Sequence, residues 1–145
     1  MPTAVTNLYG SALGALTAGS IDWMTDTIKC ALLANTYVFD QNGHEFFSDV
    51  SGDEATASGY TAGGQTLINK QTIYSPGDLW HYLDADDPLW TTMTGSAAFA
   101  VVYKDTGTPA TSPLLTCHDF GGNQNAFGVD FSVFFSVDGI IMLYL

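Results

Sequence analysis

The sequence predicts an all-β fold, an antiparallel β-sandwich of jelly-roll-like kind with one short N-terminal helix, and three observations carry that reading. Stretches rich in β-branched and aromatic residues recur along the chain. Turn-forming pairs separate them at short intervals, among them Asn42-Gly43, Ser58-Gly59, Gly63-Gly64, Pro76-Gly77, Gly121-Gly122 and Asp138-Gly139. Little helical periodicity lies between them, which argues against alternating strand and helix units. The 145 residues suit one domain over 1–145, with 1–20 as an N-terminal segment holding the helix. Hydrophobic residues make up 46% and charged residues only 12%, so the chain can fill a core and is not disordered.

In order along the chain, Asn7 is placed to cap a helix over Leu8 to Thr17, with Leu8, Ala12, Ala15 and Leu16 on one face and Gly19 as its stop. Strands follow at Thr27 to Leu33, Gln65 to Tyr74, Leu79 to Leu83, Ala97 to Tyr103, Leu114 to Phe120, Val129 to Ser136 and Ile140 to Leu145, with a short extended piece near Tyr37. The run Ala97-Ala98-Phe99-Ala100-Val101-Val102-Tyr103 lacks alternation, as a strand covered on both faces does, and is read as the central strand. Phe131, Val133 and Phe135 form an alternating core face. The apolar stretch Ile140 to Leu145 has no charged side chain and must be paired internally or covered by a partner. Internal pairing on the preceding strand through the Asp138-Gly139 turn is the expectation.

Fifteen acids stand against Lys29, Lys70 and Lys104, with no arginine, for a formal charge of −12. A nucleic-acid backbone is bound through cations that displace counterions, so direct nucleic-acid binding is excluded. Anionic lipid surfaces are disfavoured on the same ground, no apolar run is long enough to span a bilayer, and no membrane partner is expected. A secretory signal is not expected either, because no basic residue precedes the weakly apolar stretch Leu8 to Ala18. Cys30 and Cys117 lack metal-binding or redox spacing and read as small apolar fillers.

No nucleophile elbow, zinc-protease, Walker or dinucleotide-binding motif occurs, so no catalytic residue and no cofactor are assigned. Asp84, Asp86 and Asp87 crowd three carboxylates into one loop, and calcium would want such oxygens; a solvated loop with aspartates capping a turn before Pro88 fits the spacing better, and no metal is expected. In Cys117-His118-Asp119, strand geometry sends His118 to the face opposite its neighbours, which works against shared ligation. Trp80-His81-Tyr82 with Trp90 forms the densest aromatic patch. Trp80, Tyr82, Trp90, Leu143, Tyr144 and Leu145 are the candidate interface residues, the alternative being that the aromatics are all core.

Five motifs occur in an order that matches one family. They are Ile21-Asp22-Trp23 followed by Asp26-Thr27-Ile28-Lys29, Ser58-Gly59-Tyr60-Thr61-Ala62-Gly63-Gly64, Leu83-Asp84-Ala85-Asp86-Asp87, Ala100-Val101-Val102-Tyr103-Lys104-Asp105-Thr106-Gly107, and Asp119-Phe120-Gly121. From about Leu8 to Met142 the chain resembles a family of small virion structural proteins of tailed bacteriophages, capsid decoration or cement proteins included. The resemblance implies a non-enzymatic protein on the outer surface of the capsid that bridges subunits of the phage major capsid protein. It carries over no catalytic residues. Departures from the family pattern fall at Cys30, at Cys117 and around Ser75 to His81. Capsid symmetry suggests self-association as a homotrimer at three-fold positions. A tail or fibre module that reads host glycan through Trp80, Tyr82 or Trp90 is the alternative.

Overall fold

The computed structural model describes residues 4–145. They form two antiparallel sheets, a β-sandwich with very little helix. In chain order the elements are β1 (Val5–Leu8), α1 (Ala12–Thr17), β2 (Ile28–Leu33), β3 (Gln65–Thr66), β4 (Gln71–Ser75), β5 (Trp80–Asp84), β6 (Leu89–Lys104), β7 (Leu114–Ser132) and β8 (Ile141–Tyr144). The larger sheet has the order β1-β7-β6-β2-β3 and the smaller one β4-β5-β8.

The unalternating run does become the middle of the larger sheet. β6 lies between β7 and β2, and Ala97, Ala100, Val101 and Val102 are fully buried there. Cys30, Ala31, Leu32 and Leu33 of β2 and Leu114, Leu115 and Cys117 of β7 complete this layer. One cluster of buried side chains runs from Tyr9 to Ile141, so both sheets share a core. Both cysteines are free and buried, as small fillers would be, and burial pushes the Cys117 thiol up to about 12.

Several boundaries differ from expectation. The expected helix over Leu8 to Thr17 starts late: Leu8 closes β1, which pairs with Thr116 to Asp119 of β7, Tyr9 to Ser11 form a turn, and α1 keeps six residues after Ser11. Gly10, which costs a helix about 1 kcal/mol relative to alanine, lies in that turn. Tyr37 sits in a loop, buried, and is not extended strand. The expected strand Gln65 to Tyr74 breaks at Asn69, whose φ is 52°, so that β3 stays in the larger sheet while β4 enters the smaller one.

Gly121-Gly122 is a bulge inside β7 and not a turn. The register passes from Ala97↔Gln124 to Phe99↔Asp119, so Ala98 alone faces the stretch Phe120 to Asn123. The two glycines take φ of 77° and 138°, and Asp119 Oδ1 accepts the Gly121 N–H at 2.8 Å. Two expected strands merge through this bulge into the 19 residues of β7, which stops at Ser132 before the expected end at Ser136.

The Asp138-Gly139 turn forms, with Gly139 at φ 89° and its N–H donated to Ser136 O at 2.9 Å. It does not return the chain to the preceding strand. β8 is paired internally, but with β5, in the register Trp80↔Tyr144 to Leu83↔Ile141. The ladder partner of β8 lies some sixty residues back, beyond the reach of turn chemistry.

Candidate docking face

The smaller sheet has two unlike faces. Alternation and register place Leu83 and Ile141 together on the side that meets the core, with Thr72, His81 and Leu143 toward α1. A groove of about 430 Å³ lies there, lined by Leu13, Leu16, Trp23, Leu83 and Leu143 among others. Thr72 Oγ1 hydrogen-bonds His81 Nε2, and Tyr74 stacks on the same imidazole with centroids 6.4 Å apart.

The opposite face carries two rows across all three strands, Ile73–Tyr82–Met142 and Ser75–Trp80–Tyr144. None of these side chains belongs to the core or packs against it. Trp80 and Tyr144 hold their rings 5.4 Å apart, and Tyr144 is 73% exposed. Leu79 and Leu145, each more than half exposed, stand opposite each other at the end of the sheet, where the Leu145 N–H donates to Leu79 O. Leu79 adopts φ 60°, a costly setting for a branched side chain.

Of the six expected interface residues, the structure therefore brings Trp80, Tyr82 and Tyr144 onto one face, while Leu145 lies just past β8 at the end of the sheet. Leu143 belongs to the other face. Trp90 is corrected outright: at 1% exposure on β6 it fills the core between Tyr60 and Phe131, centroids 5.8 and 6.4 Å away. β6 begins at Leu89, directly after Pro88, so Trp90 is already its second residue, and for this aromatic the core alternative holds. Sequence reading missed Ile73 and Met142. Alternation in Gln71 to Ser75 signals Ile73 once the break at Asn69 is recognised.

The acidic loop is held by local hydrogen bonds. Asp86 Oδ2 accepts from Asn69 Nδ2 at 2.6 Å and Asp87 Oδ1 from the Phe135 N–H at 2.8 Å. Burial raises the Asp84 carboxyl above its ordinary range, with Asp87 and Asp86 adding to the effect. Among the described residues no group of three or more His, Cys, Asp or Glu is arranged to hold a metal ion.

All three lysines are engaged. Lys29 pairs with Asp105 at 2.7 Å, Lys104 with Asp26 at 2.9 Å, and Lys70 donates to the Asp26 carbonyl. These pairs hold the Asp105 and Asp26 carboxyls below the usual range. Two of the fifteen acids are thereby paired with lysine, and Lys70 is tied to a backbone carbonyl.

Two buried polar clusters lie elsewhere. Tyr9 and Tyr37 share a hydroxyl hydrogen bond of 2.7 Å, and the Tyr37 hydroxyl meets His44 Nδ1 at 3.0 Å. His118, 3% exposed, is held between Thr6 Oγ1 and Thr116 Oγ1, each at 3.0 Å, with the Phe135 ring 5.3 Å away. Burial pushes its pKa down to about 4.

Comparison with family models, with curated proteins and with solved structures finds nothing that matches this chain.

Proposed function

We propose that this chain is a non-enzymatic structural protein of a tailed-bacteriophage virion, a decoration or cement protein that bridges major capsid protein subunits on the outside of the head. The observation that carries the docking half of this reading is the apolar outer face of the smaller sheet. Ile73, Trp80, Tyr82, Met142 and Tyr144 lie side by side there without contributing to the core, and a surface of that kind is characteristic of protein contact sites. The five ordered motifs supply the virion half. A capsid partner would meet a face whose two aromatic rows carry no charged side chain. Trimers at three-fold positions remain part of the reading.

Gel densitometry of purified virions tests it, since a decoration protein is present in many copies per head and a tail module in few. Tyr144→Ser and Trp80→Ala should each abolish binding to undecorated heads while leaving the fold intact. A chain absent from the particle, or head binding indifferent to both substitutions, would refute the proposal. One observation favours the second reading, a glycan-recognising tail module: the Trp80 and Tyr144 rings lie together, tilted by 34°, on the face that Gln71 and Asp84 share, the pairing of aromatic platform and polar group that sugars use. A glycan array would separate the two.

A further inference from the structure

We infer that the outer edge of β8 pairs with the β8 edge of a second copy of this chain, antiparallel, about a two-fold axis at Leu143. The argument starts from where each sheet ends. β1 closes one side of the larger sheet, and its donation Tyr9 N–H to Leu115 O sets the alternation that turns Thr6 and Leu8 outward. That edge is guarded, because Gln41 Nε2 donates to the outward Leu8 carbonyl at 2.9 Å. β3, on the other side, is two residues long. In the smaller sheet the Gln71 carbonyl at the start of β4 accepts Trp23 Nε1 at 3.0 Å.

β8 has no such guard. Leu145 N–H donates to Leu79 O at 2.9 Å, so Leu143 and Ile141 face β5 while the N–H and C=O of Met142 and Tyr144 point away from it. Among the described residues no side chain bonds to those outward groups. The strand also lacks proline and lysine within Ile141–Tyr144, two devices that keep an edge from pairing, and its one irregularity is at its start, where the Ile140 N–H donates to Leu83 O.

Charge selects the occupant. Two chains at −12 repel wherever their acids meet, but Ile140 to Leu145 carries no charged side chain. The edge is moreover complementary to itself. Antiparallel pairing centred on Leu143 sets Met142 opposite the partner's Tyr144 and Tyr144 opposite the partner's Met142, so that all the outward groups are satisfied reciprocally. Each thioether then meets an aromatic ring on the same face that carries Trp80. Leu143 meets its own copy across the axis. A four-residue edge buries far less than the ~800 Å² per partner of a standard interface, so the pair is weak in free solution and gains strength when copies are arrayed. This contact is pairwise and does not depend on the virion reading.

Sedimentation and disulfide trapping on the full chain test it. Leu143→Cys places two thiols across a non-hydrogen-bonded pair, close enough to bridge, while Cys30 and Cys117 are buried. Mild oxidation should convert most of this variant at high concentration into a reducible dimer, and Leu145→Cys, offset from the axis, should give several-fold less. Met142→Pro removes an outward donor from each copy; it should weaken self-association about tenfold or more, the loss of two symmetry-related hydrogen bonds, without changing the melting temperature. Because both copies are acidic, association should strengthen as salt rises. A chain that stays monomeric at millimolar concentration, equal trapping at both cysteines, or association that weakens with salt would overturn the inference. Head binding measured on the same variants bears on the virion reading alone.

Discussion

The two sheets put the same ingredients to different uses. In the larger one, β2, β6 and β7 bury nearly every side chain of their central stretch, so both faces of β6 are core and alternation vanishes. In the smaller one, all five residues of β5 are half-buried, and one face is left for something other than the core. Apolar content alone does not separate the two cases. Position in the layer order does: a central strand is apolar because it is enclosed, whereas the aromatic rows of β4, β5 and β8 are apolar without being enclosed.

That contrast can be broken from its stable side first. Leu32→Ala removes a fully buried side chain from β2 and should cost about 2–5 kcal/mol in urea unfolding with little change in m-value. Tyr82→Ala in the smaller sheet should cost well under half of that. Equal losses would show that the outer face serves the core after all.

Acid comes next in size. His118 has its folded-state pKa depressed, so the unfolded chain takes up the proton first, and stability is fully present above the ordinary value of 6.5. It falls as the pH drops from about 6.5 to about 4, by about 3 kcal/mol in total. His118→Gln should flatten this part of the stability profile measured by denaturant titration. An unchanged slope would mean that water reaches the ring.

Phe131 and Phe135 sharpen the comparison within a single face. They share an alternating face in sequence, yet Phe131 is 7% exposed while Phe135 only packs against the rim of the core. Phe131→Ala should cost about 3–5 kcal/mol and Phe135→Ala about 1–2 kcal/mol, since half-burial removes half the area term. Phe135 thus sits on the core face that alternation predicts, but only half-buried. Smallest of all, Tyr144→Ser should shift stability by less than about 0.5 kcal/mol in a thermal melt while abolishing docking.

What the sequence made legible follows the same divide. The central strand, β2 and the Asp138-Gly139 turn could be read because their signals are local: a long apolar run, or a pair that needs φ > 0. The partner of β8, the pairing of β1 and the merging of two strands into β7 are long-range outcomes. Val5 to Leu8 is too short to signal a strand by itself, and Thr116 to Asp119 supplies the ladder that makes it one. Gly121-Gly122 looks like a turn because the same φ > 0 freedom serves a bulge. Trp80, Tyr82 and Tyr144 were found by alternation and apolar content, whereas Trp90 was misplaced because an aromatic residue near a proline gives no sign of which face will enclose it.

The pairing of β1 with β7 also sets a timetable for synthesis. Leu8 leaves the ribosome more than a hundred residues before its ladder partner Thr116. At roughly 5–20 residues per second, β1 waits on the order of ten seconds as an unpaired strand, and β5 waits in turn for β8. The β6–β7 hairpin, whose partners are close in sequence, can form before either. Both outer ladders are therefore late events, and a nascent chain stalled before Thr116 would present β1 to whatever edge it meets first.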